Sequence, residues 1–208
     1  MAARMEVKKP YLIICEGDSE FAYVQELNRF LNERGVPVVF TACNAGGGGF
    51  KNLRQVCRTL KTRKNGRTYV VADKDIYQRD DNGNGTAYGK EKDHMPPFLF
   101  QTWNFEDFLL MHFPLDVVSA WREEAARSGH LRNPLHGSAY LPIFQAFCGR
   151  NKDALKFMFP YEKGDMPFAL TDSHVELLFA NNAEGSFPHS EFATLIQKIL
   201  QLVERRKS

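Results

Sequence analysis

The chain has 208 residues, 43% of them hydrophobic and 25% charged, with 27 Lys and Arg against 25 Asp and Glu. That length is about one and a half times the ~150 residues expected of one domain, and the composition excludes a disordered, collagenous or membrane-embedded protein. The formal charge of +2 excludes an extreme polyelectrolyte, but neither nucleic acid nor a small molecule as partner. Cys15, Cys43, Cys57 and Cys148 form no C-x-x-C pair, and no His pair stands at zinc spacing, so zinc and a disulfide scaffold are not expected. The apolar run after the basic N-terminus stops at Glu16, too short for a signal segment or a membrane span. A cytoplasmic protein with reduced thiols and no membrane partner is the expectation.

Tyr11 to Cys15 reads as a buried strand ending abruptly in the acidic turn Glu16-Gly17-Asp18-Ser19-Glu20. From Phe21 apolar residues recur at helical spacing up to Gly35, with Asp18 or Ser19 as the expected N-cap. Val36 to Ala42 is a second strand, and Ala45-Gly46-Gly47-Gly48-Gly49 can only be a loop. Phe50 to Arg63 reads as an amphipathic helix with Leu53, Val56, Cys57 and Leu60 on one face and Lys51, Arg54, Arg58 and Lys61 on the other. Thr68 to Ala72 is a third strand, ending in Asp73-Lys74-Asp75. This β-α-β-α-β alternation is the pattern of a parallel α/β sheet with helices on its faces.

Asp80 to Pro97 is polar and Gly/Asn-rich, a long loop. Phe98 to Phe100 is a short strand, and Asn104 caps a helix from Phe105 to His112, stopped by Pro114. Leu115 to Ser128 is a further helix, and Leu131 to Pro167 is read as helical in spite of its prolines and glycines. Asp172 or Ser173 caps a helix through Phe179, and Ser190 opens a terminal helix. The expected division is an α/β core over residues 1–115 and a helical extension over 116–208 packed on it.

In parallel α/β sheets, sites form beyond the carboxyl ends of the strands. Both acidic clusters fall there. Glu16 follows the first strand, and Asp73 and Asp75 follow the third, so neighbouring strands would bring their carboxylates into one crevice. Like charges so crowded raise one another's pKa values unless a cation compensates them, and oxygen ligands without His or Cys favour Mg²⁺, or Mn²⁺ in its place. Asp73 and Asp75, two apart in extended chain, can share one ion while Lys74 points away. Glu20 and Glu106 are further candidate ligands, although an acid in a helix's first turn also serves the helix dipole alone. The acid-free stretch from Lys51 to Arg67 points to contact with a phosphate backbone. The glycine run lacks the G-K-[ST] ending of a Walker A loop. His112 reads as structural, His94 as an exposed loop residue, and Trp103 as core.

With these residues in place, the chain resembles a TOPRIM domain, the metal-binding module shared by topoisomerases, primases and OLD-type nucleases. The resemblance rests on Leu12-Ile13-Ile14-Cys15-Glu16-Gly17-Asp18-Ser19-Glu20 and on Val70-Val71-Ala72-Asp73-Lys74-Asp75. Trp103-Asn104-Phe105-Glu106-Asp107-Phe108-Leu109-Leu110-Met111-His112-Phe113 is similar to the F-E-x-W-x-L-L-H-F stretch of RloB-like proteins, a family associated with bacterial restriction and phage defence. Asp107-Phe108 stands where that family usually has Leu-Trp. The resemblance implies a TOPRIM-like fold with a mainly parallel sheet. In it Glu16 is a metal ligand or general base, Asp73 and Asp75 are the metal-binding pair, and Glu20 and Glu106 are accessory acids. The function it implies is a Mg²⁺-dependent nuclease acting on DNA or RNA in defence or restriction, with a separately encoded ATPase as a possible partner. A non-catalytic nucleic-acid-binding or sensor subunit of a defence complex, and a phosphatase using the D-x-D pair with Asp73 as nucleophile, are the alternatives.

Overall fold

The strands form where apolar residues run continuously, because both faces of the sheet are covered. The computed structural model describes residues 9–60, 67–74, 95–158 and 160–205. β1 (Lys9–Cys15), α1 (Asp18–Glu33), β2 (Val38–Asn44), α2 (Phe50–Thr59), β3 (Thr68–Asp73) and β4 (Phe98–Thr102) come first in the chain. There follow α3 (Phe105–Leu110), α4 (Leu115–Arg127), α5 (Gly137–Arg150), a 3₁₀ turn at Lys156–Met158, α6 (Asp172–Asn181), β5 (His189–Ser190) and α7 (Glu191–Glu204). The described residues form one five-stranded sheet in the order β2-β1-β3-β4-β5. β1 to β4 run parallel, and the two-residue β5 pairs antiparallel with β4. This is an α/β fold.

The strand order places a topological switch between β1 and β3, since the chain moves from β1 outward to β2 and then returns to β1's other side. Strand-helix-strand crossovers are overwhelmingly right-handed, so the helices on either side of such a switch belong on opposite faces. They are. Alternate side chains of β1 and β3 divide accordingly. Ile13, Cys15 and Val71 join the larger core with Tyr23 and Leu27 of α1, while Ile14, Val70 and Ala72 meet Phe50, Leu53 and Cys57 of α2. The larger core continues without a break through Phe108, Trp121, Phe144, Leu178 and Phe192, from α3, α4, α5, α6 and α7. The C-terminal helices are thus packed on the α1 side of the sheet.

Some boundaries differ from expectation. α1 begins one turn earlier than Phe21, with Gly17 rather than Asp18 or Ser19 at the cap. Thr171, not Asp172 or Ser173, caps α6, its hydroxyl accepting from His174 N–H at 3.3 Å. α2 spans Phe50–Thr59 with Leu60 as its C-cap, and residues 61–63 of the expected helix lie outside the described residues. Leu60, the next apolar residue on that face, is 43% exposed, whereas Cys57 is buried. The region read as helical from Leu131 to Pro167 contains α5, with Pro142 inside it, and the 3₁₀ turn. Asn104 and Ser190 cap α3 and α7 as their positions predict. Most of the Asp80–Pro97 loop lies outside the described residues.

A fully buried carboxylate, Asp107, joins the two halves. Its Oδ1 accepts from Trp121 Nε1–H at 2.7 Å and from the Tyr140 hydroxyl at 2.9 Å. Its Oδ2 accepts from the N–H groups of Trp103 and Asn104, both at 3.1 Å, and from His130 Nε2–H at 3.2 Å. His130 Nδ1 accepts from Leu135 N–H, which fixes the tautomer that donates to Asp107. Removing the carboxylate would strand several buried donors at about 1–3 kcal/mol each. Asp107→Ala is therefore expected to cost at least about 3 kcal/mol in urea denaturation, with loss of the folded signal from α4 and α5 as well as α3.

Candidate metal centre

Glu16 is the first residue beyond β1, and Asp73 is the last of β3. Adjacent parallel strands deliver both to the same end of the sheet. Glu16 N–H donates to Val71 C=O at 3.1 Å, and Glu16 Oε2 accepts from Asp73 N–H at 3.2 Å. One carboxylate is thereby oriented by the backbone that carries the other. Glu20 arrives from the first turn of α1, where its Oε2 accepts from Gly17 N–H at 3.2 Å. It serves as helix cap and as a member of the cluster at once. One oxygen from each of Glu16, Glu20 and Asp73 lies within 4.8 Å of the other two.

These three line a cleft of about 210 Å³ together with Asp18, Ser19, Gly46, Gly47, Phe105, Lys163 and Gly164. The glycine loop follows β2, with positive φ at all four glycines from Gly46 to Gly49. Gly47 N–H donates to Glu16 C=O at 2.8 Å, and Asn52 Nδ2–H ties the loop by bonding Gly47 C=O at 2.8 Å. The wall on that side is bare backbone, which permits close approach by a ligand.

Glu106 is 3% exposed and stands at the edge of the cluster, outside the set of three. Its Oε1 accepts from the Tyr161 hydroxyl at 3.2 Å. Tyr161 Oη also lies 3.5 Å from Ser19 Oγ, which accepts from Gly164 N–H at 3.0 Å. Since the Tyr161 proton goes to Glu106, Ser19 supplies the hydrogen between the two hydroxyls. Burial, then the charge of Glu106, pushes the Tyr161 phenol up and keeps it a donor.

The crowding is visible in the titration. Burial first, then the charge of Glu16 and the weaker field of Glu106, raises the Glu20 carboxyl to about 8. Glu106 is also raised, chiefly by burial. Lys163 is the counter-charge. Desolvation works against its ammonium, but the fields of Glu106, Asp73, Glu20 and Glu16 outweigh it and hold its pKa above the ordinary lysine value. The donor set is hard oxygen without His or Cys, the chemistry that Mg²⁺ or Mn²⁺ takes, so these residues fit such an ion.

Of the residues singled out from sequence, Glu16, Glu20 and Asp73 are brought together, and Glu106 lies beside them. Asp75, Lys61 and His94 are outside the described residues. Lys51 and Arg58 are exposed and Arg54 half-buried on the outer side of α2, across the sheet from α1. His112 is not at the site. Its Nδ1–H donates to Leu109 C=O at 3.1 Å and its Nε2 accepts from the Tyr23 hydroxyl at 3.0 Å, and burial lowers its pKa to about 3. Lys163, Tyr161 and Ser19 were not among the expected site residues. The only local signal for Lys163 is the glycine after it, whose φ of +103° suits few other residues.

Searched against protein-family models, curated proteins and solved structures, the chain gives no significant match. Among the described residues, no helix is long and apolar enough to cross a membrane.

Two groups give stability opposite pH slopes. Glu20 has a folded-state pKa above its unfolded value, so the native chain holds an extra proton whose stabilisation is complete below about pH 4.5 and is lost as pH rises to about 8. His112 has a lowered one, so its effect is the reverse, and stability falls as pH drops from 6.5 towards 3. Above pH 6.5 Glu20 acts without His112. The metal-free protein should lose thermal stability from pH 6.5 to 8.5, and Glu20→Gln should flatten that slope while leaving the acid limb intact.

Proposed function

We propose that this chain is a Mg²⁺-dependent phosphodiesterase acting on nucleic acid through a TOPRIM-like module, of the kind its resemblance to RloB-like proteins implies. The observation that carries the reading is the convergence of Glu16, Glu20 and Asp73 within 4.8 Å at the ends of neighbouring parallel strands. An acidic cluster held at a strand-end crevice with Lys163 beside it suits a divalent cation and a phosphate together.

When bound, Mg²⁺ would polarise a phosphoryl oxygen and make water a stronger nucleophile. Glu16 and Asp73 would hold it, with Asp75 as the remaining member of the D-x-D pair. Glu20 would ionise on binding and give up the proton it holds in the metal-free protein. Lys163 would neutralise charge developing on the phosphoryl group, a role its raised pKa supports because it stays cationic. The backbone wall at Gly46 and Gly47 would leave room for the strand, and Lys51, Arg54 and Arg58 would meet neighbouring phosphates. A role in phage defence or restriction, beside a separately encoded ATPase, is part of the same proposal.

The test is cleavage of plasmid DNA, single-stranded DNA and total RNA with Mg²⁺, Mn²⁺ or EDTA. One substrate should be cut only with metal, and Glu16→Ala and Asp73→Ala should each lose on the order of a hundredfold or more. Turnover of small phosphate esters that survives Glu16→Ala would indicate the phosphatase alternative. Nucleic-acid binding without cleavage of any substrate would indicate the sensor subunit. Lys163→Met should lower turnover while tightening Mg²⁺ binding, since it removes both a phosphate partner and a competing positive charge.

A further inference from the structure

Gln101 carries an anomaly beside the carboxylates. It is fully buried, and among the described residues neither its Nε2 nor its Oε1 has a hydrogen-bond partner. Buried polar atoms are almost always paired, because desolvation without a partner is costly. Among the described residues Trp103 Nε1 and His189 Nδ1 are also without a hydrogen-bond partner, but Gln101 is the one of these whose strand position pairs directly with a carboxylate of the cluster.

The strand register says where that amide lies. Gln101 of β4 is the Cα partner of Asp73 in the parallel β3–β4 ladder. One pleat earlier, the paired Val71 and Leu99 both pack against the larger core on the α1 side. Side chains two apart in a strand share a face, so Asp73 and Gln101 project from that same face, about 4.8 Å apart in strand spacing. The amide is the next side chain across the sheet from a carboxylate of the cluster. The second core, on the α2 side, holds Ala72 and Phe100 from the intervening register, so neither strand turns Gln101 away from Asp73.

Resting on the metal reading above, we propose that Gln101 is a positioning residue of the centre, its Oε1 accepting a hydrogen from a water in the hydration shell of the ion held by Asp73. Mg²⁺ held by carboxylates usually keeps several of its waters. A cation-bound water is a strong donor, which matches a buried carbonyl oxygen. The strand ladder, not a loop, holds the amide in place, so the water's position is set by the sheet itself. Partners of this kind commonly change metal affinity by about tenfold to a hundredfold when removed.

The experiment compares wild type with Gln101→Met, which keeps the unbranched shape and removes both polar atoms, in the full-length chain. Thermal unfolding without metal and Mg²⁺ titration by calorimetry are the readouts. Gln101→Met should melt at or above the wild-type temperature when metal-free, because an unpaired buried amide has been removed. It should also bind Mg²⁺ about tenfold more weakly, so stability and affinity move in opposite senses. Gln101→Leu gives the same comparison should the methionine variant fold poorly. Unchanged Mg²⁺ affinity in a folded variant overturns the assignment of Gln101 and leaves the metal reading standing. Wild type with no saturable Mg²⁺ binding overturns both.

Discussion

Five donors meeting on the carboxylate of Asp107 hold the sheet and the C-terminal helices in one arrangement. They come from the chain between β4 and α3, from α4, from the turn at His130 and from α5. Hydrogen bonds to a buried charged group are among the stronger ones in a protein, and each here is made by a different residue. The consequence reaches the cleft. Asp107 fixes the entry of α3, and Glu106 is the adjacent residue, so the direction in which Glu106 meets Tyr161 follows from a network that touches none of the cluster acids.

The cluster itself is costly to the fold. Glu20 would be a routine capping acid on an exposed helix. Here it is 5% exposed with Glu16 and Glu106 in its field, and burial first, then those charges, raises its pKa. Proteins keep such groups where a ligand repays them. The arrangement holds the acids close in fixed orientations. Asp73 N–H and Gly17 N–H each hold a carboxylate oxygen of a different glutamate, so backbone donors orient the acids while Lys163 lines the same cleft.

The first strands and helices were legible in the sequence because their signals are local. Continuous apolar runs mark β1 and β3, and acids directly after them mark the strand ends, so the residues alone point to Glu16 and Asp73 sharing one end of the sheet. The rest depends on tertiary contacts that no spacing reports. Lys163 sits in a Gly-containing loop whose neighbours in space, Ser19 and Glu106, are far away in sequence. Asp107 looks like any first-turn acid, and its donors are likewise dispersed. β5 is two residues long and exists because β4 offers it an edge. α5 carries Pro142 and begins at a glycine, both of which argue against the helix that packing nevertheless imposes.

The segment from Tyr161 to Gly164 bridges to the start of α1 and to Glu106 across 55 to 145 residues of chain. Synthesis runs from the N-terminus, and long-range contacts form after local ones. A nascent chain emerging as far as α3 therefore carries all the cluster acids of the cleft without the lysine that balances them. The site acquires its balancing charge only once the chain has been made through Gly164 and that segment has docked against α1 and Glu106.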